Sequence, residues 1–408
     1  MSEVNVRKRG SKWQYQFEGA KIDGKRKQIT KSGFKTKKDA LDAGVKALAE
    51  YNNSGSHFQP SEISVSDYLD YWIKNYVELN LRPNTVAGYK CTVKNHLKPS
   101  LGAYKLKALT PSLLQSYINK TYINGTHKDY LKRISSILNL ALKYAVHPCK
   151  FIKENPMQYI SMPKYDKKSE QDIKTITVEE FENILDRFPD TTDYYIPLVI
   201  GFYTGCRIGE VLALIWEDVD FQNQTISINK TLIFNEDNKQ WYLGPVKTFT
   251  SNRTIKIGKT LIDILDKHHK KQLETKIEYG EFYKVIYSKE ELINNKPLQR
   301  LYVLPASIPN TDLIIQNMIC CRINGDLLTT NSMKYVSKVV NYELNIDFKF
   351  HSLRHTHATL LIQNGANIKD VQTRLGHASI ETTLDIYTHS TENSAKSTVE
   401  LFEQISKK

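Results

Sequence analysis

Four side chains suited to cleaving a phosphate ester lie close together near the carboxyl end of the chain. His351 and Arg354 are three positions apart, His377 follows a Leu-Gly pair, and Tyr387 lies ten residues after it. A phenol is a nucleophile, an imidazole transfers protons, and a guanidinium binds phosphate oxygens through parallel hydrogen bonds. The set therefore indicates phosphoryl transfer with the tyrosine as nucleophile.

The chain around these residues predicts three short, linked helices over residues 352–387. Apolar residues recur there at helical spacing, and Gly365 and Gly376 are placed to end the first two helices. His351 and Arg354, at positions i and i+3, then share a face and can address one ligand.

The same stretch could be read as a metal site. His355 and His357 have an i, i+2 spacing that places them on different faces of a helix, and no acidic ligand lies nearby. The charge of Arg354 would also repel a cation. We therefore predict no metal and no cofactor, and a purely structural role stays open for each single histidine.

A second arginine stands at a predicted helix start far upstream. Ile208, Val211 and Leu212 form an apolar stripe directly after Arg207, so the helix interior would anchor this arginine. Holding a guanidinium there costs desolvation, which an arriving anion would offset. The alternative is an ion pair with Glu210, three positions later.

A lysine lies between two predicted strands of the same region. Residues 225–229 and 254–257 alternate as strands do, and residues 244–248 begin a further strand or hairpin arm that carries Lys247. Taken alone, a hairpin lysine is an ordinary solvated residue. Residues 276–348 show no clean periodicity, and the sequence assigns them no role.

The first 60 residues predict a small three-stranded sheet packed on one helix. Residues 12–17 alternate aromatic and polar side chains, residues 25–29 form the returning strand of a hairpin, a third strand lies near 32–34, and the helix spans 37–51. The exposed face of the sheet would present three lysines to a DNA groove: Lys12, Lys25 and Lys27.

A linker at residues 52–60 leads into a predicted all-helical bundle that ends at a charged linker, 164–174. Many lysines lie along its helices, among them Lys90, Lys94 and Lys132. This distribution is consistent with one face of the bundle binding DNA.

Charge separates the two halves of the chain. Residues 1–60 carry a net charge of +7 and residues 61–165 a net +9, whereas the rest carries −3. A basic front half indicates polyanion binding, although a solvated basic surface would also account for it.

Other sequence features limit the class of protein. Neither a membrane-spanning run nor a signal peptide is evident, so we expect a cytoplasmic protein. The five cysteines show no CxxC pairing and indicate neither a disulfide framework nor a zinc site.

Five motif residues resemble, in order and local sequence, those of the tyrosine recombinase (integrase) family: Arg207 in TGCRIGEVLAL, His351 and Arg354 in HSLRHTHAT, His377 in LGHASIETT and Tyr387 in DIYTH. Lys247 resembles the hairpin lysine of that family, with Lys230 and Lys256 as competitors for the assignment.

The front half is similar to the arm-binding and core-binding domains of phage lambda type integrases, and the likeness is to integrases of conjugative transposons. It implies a multidomain, mainly α fold with small β parts. The implied domains are an arm-type DNA-binding domain of sheet plus helix at 1–58, a helical core-binding domain at 61–164, a mixed, mainly α catalytic domain with a small sheet or hairpin at 175–390, and a tail helix at 391–408.

The resemblance also implies a chemistry. Arg207 and Arg354 would hold the phosphate oxygens, and Tyr387 would form a 3′-phosphotyrosyl bond. His351 would accept the phenolic proton, His377 would donate to the phosphate, and Lys247 would protonate the leaving 5′-oxygen.

The implied partners are attachment-site DNA, other copies of the chain in a tetramer with tail exchange, an excisionase and a host DNA-bending protein. The competing interpretations are a type IB topoisomerase-like enzyme and a catalytically silent DNA-binding regulator.

Overall fold

The computed structural model describes residues 4–22, 25–54, 63–165, 174–246, 248–293, 296–308, 312–381 and 383–384. The chain divides into two units, one of Met1–Asn80 with Gly88–Tyr165 and one of Leu81–Ala87 with Asp166–Lys408. The architecture is mainly helical with small sheets, as the sequence predicts. Within the described residues, every helix is too short or too polar to span a membrane.

The first unit begins with an antiparallel sheet in the order β1-β2-β3, formed by Asn5–Arg9, Lys12–Ile22 and Lys25–Phe34. The predicted position of one strand was wrong. Residues 32–34 are the end of β3 rather than a third strand, and the remaining strand is β1, which precedes the others. Helix α1, Lys37–Ser54, covers the sheet, and Thr36 Oγ1 accepts a hydrogen bond from the Asp39 amide at 3.1 Å.

Helices follow, as expected, between residues 64 and 160. They are α2 Val65–Trp72, α3 Glu78–Asn80, α4 Pro83–Thr92, α5 Lys98–Leu101, α6 Pro111–Ile123 and α7 Lys128–Val146, with π-helical turns at Ile73–Val77 and Val93–Leu97 and 3₁₀ turns at Leu106–Ala108 and Pro156–Tyr159. Leu131, Ile134 and Leu138 of α7 are fully buried, because their three- and four-residue spacing aligns them on one face. Burial of each such side chain stabilises the fold by roughly 1.5–3 kcal/mol.

The second unit contains α8 Val178–Arg187, α9 Tyr195–Thr204, α10 Ile208–Val211, α11 Lys259–Tyr279, α12 Thr330–Glu343, α13 Phe350–Gln363 and α14 Ile368–Leu375. Helix α9 is apolar on nearly every side and lies in the core. Gly201 allows α13 to approach it closely, because a Cβ there would lie 2.7 Å from the Phe350 ring and 2.9 Å from Leu353.

Two sheets complete the described part of this unit. The order β4-β5-β8 joins Val219–Asp220, Thr225–Ile228 and Arg253–Lys256, and the order β11-β9-β10-β7-β6 joins Ile314–Ile315, Lys284–Ile293, Lys296–Pro305, Gln240–Pro245 and Lys230–Asn235. Residues 276–348, which the sequence left unassigned, thus supply three strands of the larger sheet and helix α12.

Candidate active site

Helix α13 positions His351 and Arg354 one turn apart, as predicted. The helix begins at Phe350, so Ser352 is its third residue rather than its cap, and its hydroxyl instead accepts a hydrogen bond from the Lys349 amide at 3.4 Å. Leu353, between the two, is fully buried and fixes the rotation of the helix.

Arg354 is almost completely enclosed, with 1% of its surface exposed. Its Nη1 donates to the Gly205 carbonyl at 2.8 Å and its Nη2 to the Leu375 carbonyl at 2.7 Å. These bonds engage two of the five N–H groups of the guanidinium and fix its plane. One side chain therefore ties the chain just before Arg207 to the chain just before His377.

The surroundings of Arg354 disfavour its positive charge. The pKa of its guanidinium is lowered to about 9, mainly by burial and next by the charge of Arg207, while Glu210 opposes both. Arg354 therefore remains charged at neutral pH in a site that favours an anion.

Arg207 precedes α10 and forms the ion pair with Glu210 that the sequence offered as the alternative, while its binding of an anion stays a prediction. Its Nη1 donates to Glu210 Oε1 at 2.8 Å and its backbone N–H to Glu210 Oε2 at 3.1 Å. The side chain is 36% exposed, however, and its charge still acts on the pKa of Arg354. The ion pair orients Arg207 without enclosing it.

Glu210 is a site residue that the sequence analysis treated only as an alternative partner. Burial raises the pKa of its carboxyl, but the charges of Arg253 and Arg207 outweigh burial and hold that pKa below its usual range. Glu210 is therefore a buried carboxylate between two guanidinium groups. Its spacing after Arg207 was the only signal available in the sequence.

The two predicted catalytic histidines lie within electrostatic reach of the arginines. Burial lowers the pKa of His351 to about 4, with further contributions from His355, Arg354 and Arg207. Burial lowers the pKa of His377 to about 3, and Arg354 and Arg207 are the next causes. Both rings are therefore neutral at neutral pH.

His377 is further held by a hydrogen bond that the sequence did not indicate. Its Nδ1 lies 2.9 Å from Thr383 Oγ1, and the ring is 7% exposed. If the hydroxyl donates, Nε2 carries the remaining proton and becomes a donor. His377 itself follows Gly376, whose φ of +68° ends α14 in the left-handed region.

His357 has the structural role that the sequence left open. Its Nδ1 lies 2.9 Å from the Phe202 carbonyl, and its Nε2 lies 3.0 Å from Arg374 Nε, which donates to it. Burial lowers its pKa to about 4. His355 differs, because its ring packs edge-on against His351 with 4.6 Å between centroids.

Tyr387 and Lys247 lie outside the described residues, so their assignments stay predictions. The competitors of Lys247 have other partners: Lys230 Nζ forms an ion pair with Asp218 at 2.5 Å, and Lys256 Nζ donates to the Asn223 carbonyl at 2.8 Å.

The predicted DNA-binding lysines are spread over both parts of the first unit. Lys12 begins β2 and is exposed, as are Lys94 and Lys132, whereas Lys90 forms a 2.9 Å ion pair with Glu78. Lys25 and Lys27 lie in β3, and their side chains are outside the described part of the chain.

Family comparisons match most of the chain. The phage integrase family matches residues 174–394, the N-terminal SAM-like domain of phage integrases matches 64–122, and an arm DNA-binding domain matches 4–50.

Two curated relatives cover most of the chain. A "Tyrosine recombinase XerC-like" protein of Caldanaerobacter subterraneus subsp. tengcongensis is 28% identical over 366 residues, which are 87% of this chain and 86% of the relative. The ICEBs1 integrase of Bacillus subtilis is 24% identical, with 88% of each protein covered.

Solved structures share the fold. The Tn1549 transposon integrase in complex with a circular intermediate DNA superposes with a TM-score of 0.61 at 20% identity, over 83% of this chain and 99% of that one. A lambda integrase dimer bound to a COC′ core site gives a TM-score of 0.52 at 15% identity, over 96% of this chain and 95% of that one.

Proposed function

Because the chain belongs to the phage integrase family, whose match covers more than half of its length, we propose that Arg207, His351, Arg354, His377 and Tyr387 act with Lys247 to break and rejoin DNA. The protein is a tyrosine recombinase of the kind that mobile elements carry, and its enzyme class is DNA breaking and rejoining. The implied element is a conjugative transposon or a similar mobile element.

The observation that carries the proposal is the electrostatic convergence on α13. The charge of Arg207 lowers the pKa of Arg354, and both arginines lower the pKa of His351 and of His377. We infer that these two arginines and two neutral imidazoles border one phosphate-binding space. A phosphodiester brings one negative charge and gains more on its non-bridging oxygens during attack, so it suits that space.

The reaction follows from the roles of these groups. The Tyr387 oxygen attacks phosphorus, a P–O bond to tyrosine forms, and the P–O5′ bond breaks. His351, neutral at neutral pH, accepts the phenolic proton, while Lys247 gives a proton to the leaving 5′-oxygen. The product is a 3′-phosphotyrosyl linkage with a free 5′-hydroxyl. Attack by the 5′-hydroxyl of a partner duplex reverses each step and exchanges the strands without a metal ion or ATP.

His377 serves as a phosphate donor in this scheme, and Thr383 sets its tautomer. A donating Thr383 hydroxyl leaves the proton on Nε2 of the ring, so a neutral imidazole can still donate to a phosphate oxygen. The 2.9 Å contact supports this arrangement.

A DNA substrate nicked beside the cleavage site tests the function. The short fragment bearing the 5′-hydroxyl diffuses away, so an enzyme that forms a phosphotyrosine accumulates as a covalent adduct. We expect an adduct and, with intact sites, joined strands from two different duplexes. An adduct with religation of the original strands only would indicate the topoisomerase-like alternative, and the absence of an adduct would indicate the silent regulator.

Lys247→Ala is expected to slow cleavage by roughly 10²–10⁴-fold, the usual contribution of a general acid. The loss should largely disappear when sulfur replaces the leaving 5′-oxygen, because a thiolate is a weak base that leaves without a proton. Single-turnover cleavage of both substrates measures the effect.

Lys230→Ala and Lys256→Ala are the matched controls for this prediction, since both lysines have other partners. Rescue by sulfur in either control, and not in Lys247→Ala, would transfer the assignment to that lysine.

The front half supplies the DNA contacts in this proposal. A domain at 1–58 would bind arm-type sites and a domain at 61–164 core-type sites, leaving catalysis to 175–390. Exposed Lys12, Lys94 and Lys132 support phosphate contacts. Lys25, Lys27 and Lys90 are proposed to join them, with Lys90 first releasing Glu78.

The proposed assembly is a tetramer on DNA in the bacterial cytoplasm. An excisionase and a host DNA-bending protein are further proposed partners, which would set the direction of recombination. The apolar pattern Val399, Leu401, Phe402 and Ile405 in the tail supports docking of residues 391–408 onto a neighbouring copy.

Deleting residues 395–408 should therefore reduce recombination between two sites by at least about tenfold while changing single-site binding less than about threefold, since only assembly requires the tail. Gel-shift titration measures the binding of one and of several copies, and strand joining measures recombination. Equal losses of binding and recombination would instead indicate that the tail completes the fold of its own copy.

A further inference from the structure

Arg253 is an enclosed arginine that the reaction scheme does not use. Its side chain is 5% exposed, and it donates to groups on three other parts of the chain. Nη2 lies 3.0 Å from Glu210 Oε2 and 3.5 Å from Cys206 Sγ, Nε lies 2.7 Å from the Arg374 carbonyl, and Nη1 lies 3.0 Å from the Ser251 carbonyl. The guanidinium is thus fixed in its plane from every side.

One of these contacts leads to the proposed phosphate-binding arginine. The two oxygens of Glu210 are divided, so that Oε1 accepts from Arg207 and Oε2 accepts from Arg253 as well as from the Arg207 backbone. With Oε2 held by both the buried Arg253 guanidinium and the Arg207 backbone N–H, the carboxylate has a restricted orientation. The direction of its other oxygen, and hence that of Arg207, is fixed with it.

The other contacts anchor Arg253 itself. Gly376 lies directly against it, because a Cβ at this position would be 2.8 Å from the Thr250 carbonyl oxygen, 3.1 Å from Ser251 Cα and 3.2 Å from Arg253 Cδ. The end of α14 and the segment before β8 therefore close around the Arg253 side chain. Neither leaves room for it to turn.

We propose that Arg253 is a positioning residue that sets the direction of Arg207 through Glu210, held in place by the carbonyls of Arg374 and Ser251. This proposal rests on the function proposed above, in which Arg207 binds the phosphate. A buried arginine is a costly way to add stability alone, since an apolar side chain of similar volume often serves as well. An orienting role needs the planar fork that arginine provides and lysine lacks.

The test compares two substrates, a normal phosphodiester and a methylphosphonate at the cleavage site. The methyl group removes the phosphate charge that Arg207 neutralises, so misplacing Arg207 should matter less. We expect Arg253→Lys to lower single-turnover adduct formation by about 10²-fold on the phosphodiester and by less than about tenfold on the methylphosphonate. Site binding should change less than about threefold.

A purely structural role would give a different pattern. Loss of folded protein lowers both rates by one common factor, and that result would overturn the proposal. Because Arg253 acts through Arg207, the double variant Arg207→Ala/Arg253→Lys should cleave within about threefold of Arg207→Ala alone. A multiplied loss in the double variant would also contradict it.

The Arg207→Ala variant tests the proposed phosphate contact separately from the positioning role of Arg253. If Arg207→Ala shows no difference between the substrates, the proposed phosphate contact itself fails. If Arg207→Ala shows the difference and Arg253→Lys does not, only the positioning role fails. Arg300→Lys replaces an arginine that is 29% exposed and paired with Glu291 at 3.1 Å, and it should leave both rates unchanged.

Should Arg253→Lys prove too unstable to measure, Glu210→Gln keeps the volume of the carboxyl and removes the charge that the two arginines share. The same contrast between the two substrates is then expected, and an equal loss on both would count against the proposal.

Discussion

Replacing Tyr387 with phenylalanine is expected to abolish the covalent protein–DNA adduct, a loss of at least ~10⁴-fold of the kind seen when a nucleophile is removed. Phenylalanine keeps the ring and its volume, and it lacks only the oxygen that attacks phosphorus. Binding to a single site should therefore stay within about twofold of wild type. A nicked substrate measures the adduct, and digestion followed by mass spectrometry locates the linked residue.

Tyr342→Phe is the matched control, because Tyr342 lies in α12 with 89% of its surface exposed and takes no part in the proposed site. It should form the adduct at the wild-type rate. An adduct that persists in Tyr387→Phe would disprove the assignment of the nucleophile, and the mapped residue would replace it.

The second large effect is expected for Arg354→Lys. Lysine keeps the positive charge, but its single ammonium group cannot donate to the Gly205 and Leu375 carbonyls and at the same time bind phosphate oxygens in one plane. Cleavage should fall by about 10²–10³-fold, comparable to the loss of one donor to a developing negative charge. The free energy of unfolding should also fall by roughly 1–3 kcal/mol, because buried carbonyls lose their partners.

Single-turnover cleavage and urea unfolding measure these two quantities on the same preparation. Arg187→Lys is a suitable control: Arg187 pairs with Glu343 through Nε at 2.6 Å on an exposed surface, where such pairs contribute little. If Arg354→Lys cleaves within tenfold of the wild-type rate, the planar guanidinium is not needed. Arg354 would then not have the proposed role of binding the phosphate oxygens.

Local patterns explain which parts of the fold the sequence predicts. Helices α13 and α14 follow from apolar spacing and end near Gly365 and Gly376 as expected, because both signals lie within a few residues. Strand β1 was missed because Asn5–Arg9 is largely charged and four of its five residues are exposed. This segment is a strand because it pairs with β2, and the pattern of its own residues does not predict that pairing.

Contacts in the site between residues far apart in the chain likewise cannot be predicted from local patterns. Arg207 and Arg354 are recognisable from the short motifs around them, but the Glu210 to Arg253 ion pair joins residues 43 positions apart. Arg253 begins an alternating strand and is indistinguishable in the sequence from a solvated arginine. Its burial depends on the end of α14, which arrives more than a hundred residues later, so only the assembled fold identifies it.

The hairpins of the five-stranded sheet are places where the second unit can change in length. The two ends of its β6–β7 hairpin come together where the Val246 N–H donates to the Asn229 carbonyl at 3.4 Å. The strands that flank the hairpin in the chain, β5 and β8, pair with each other. The β9–β10 hairpin likewise lies between α11 and α12.

Lengthening either hairpin adds only loop entropy, about 0.6 kcal/mol for each doubling. The contacts that join α9, α13 and α14 around Arg354 would stay as they are. Insertions and deletions in a lineage of such proteins should therefore accumulate in these two hairpins, while the spacing from His351 to His377 stays constant.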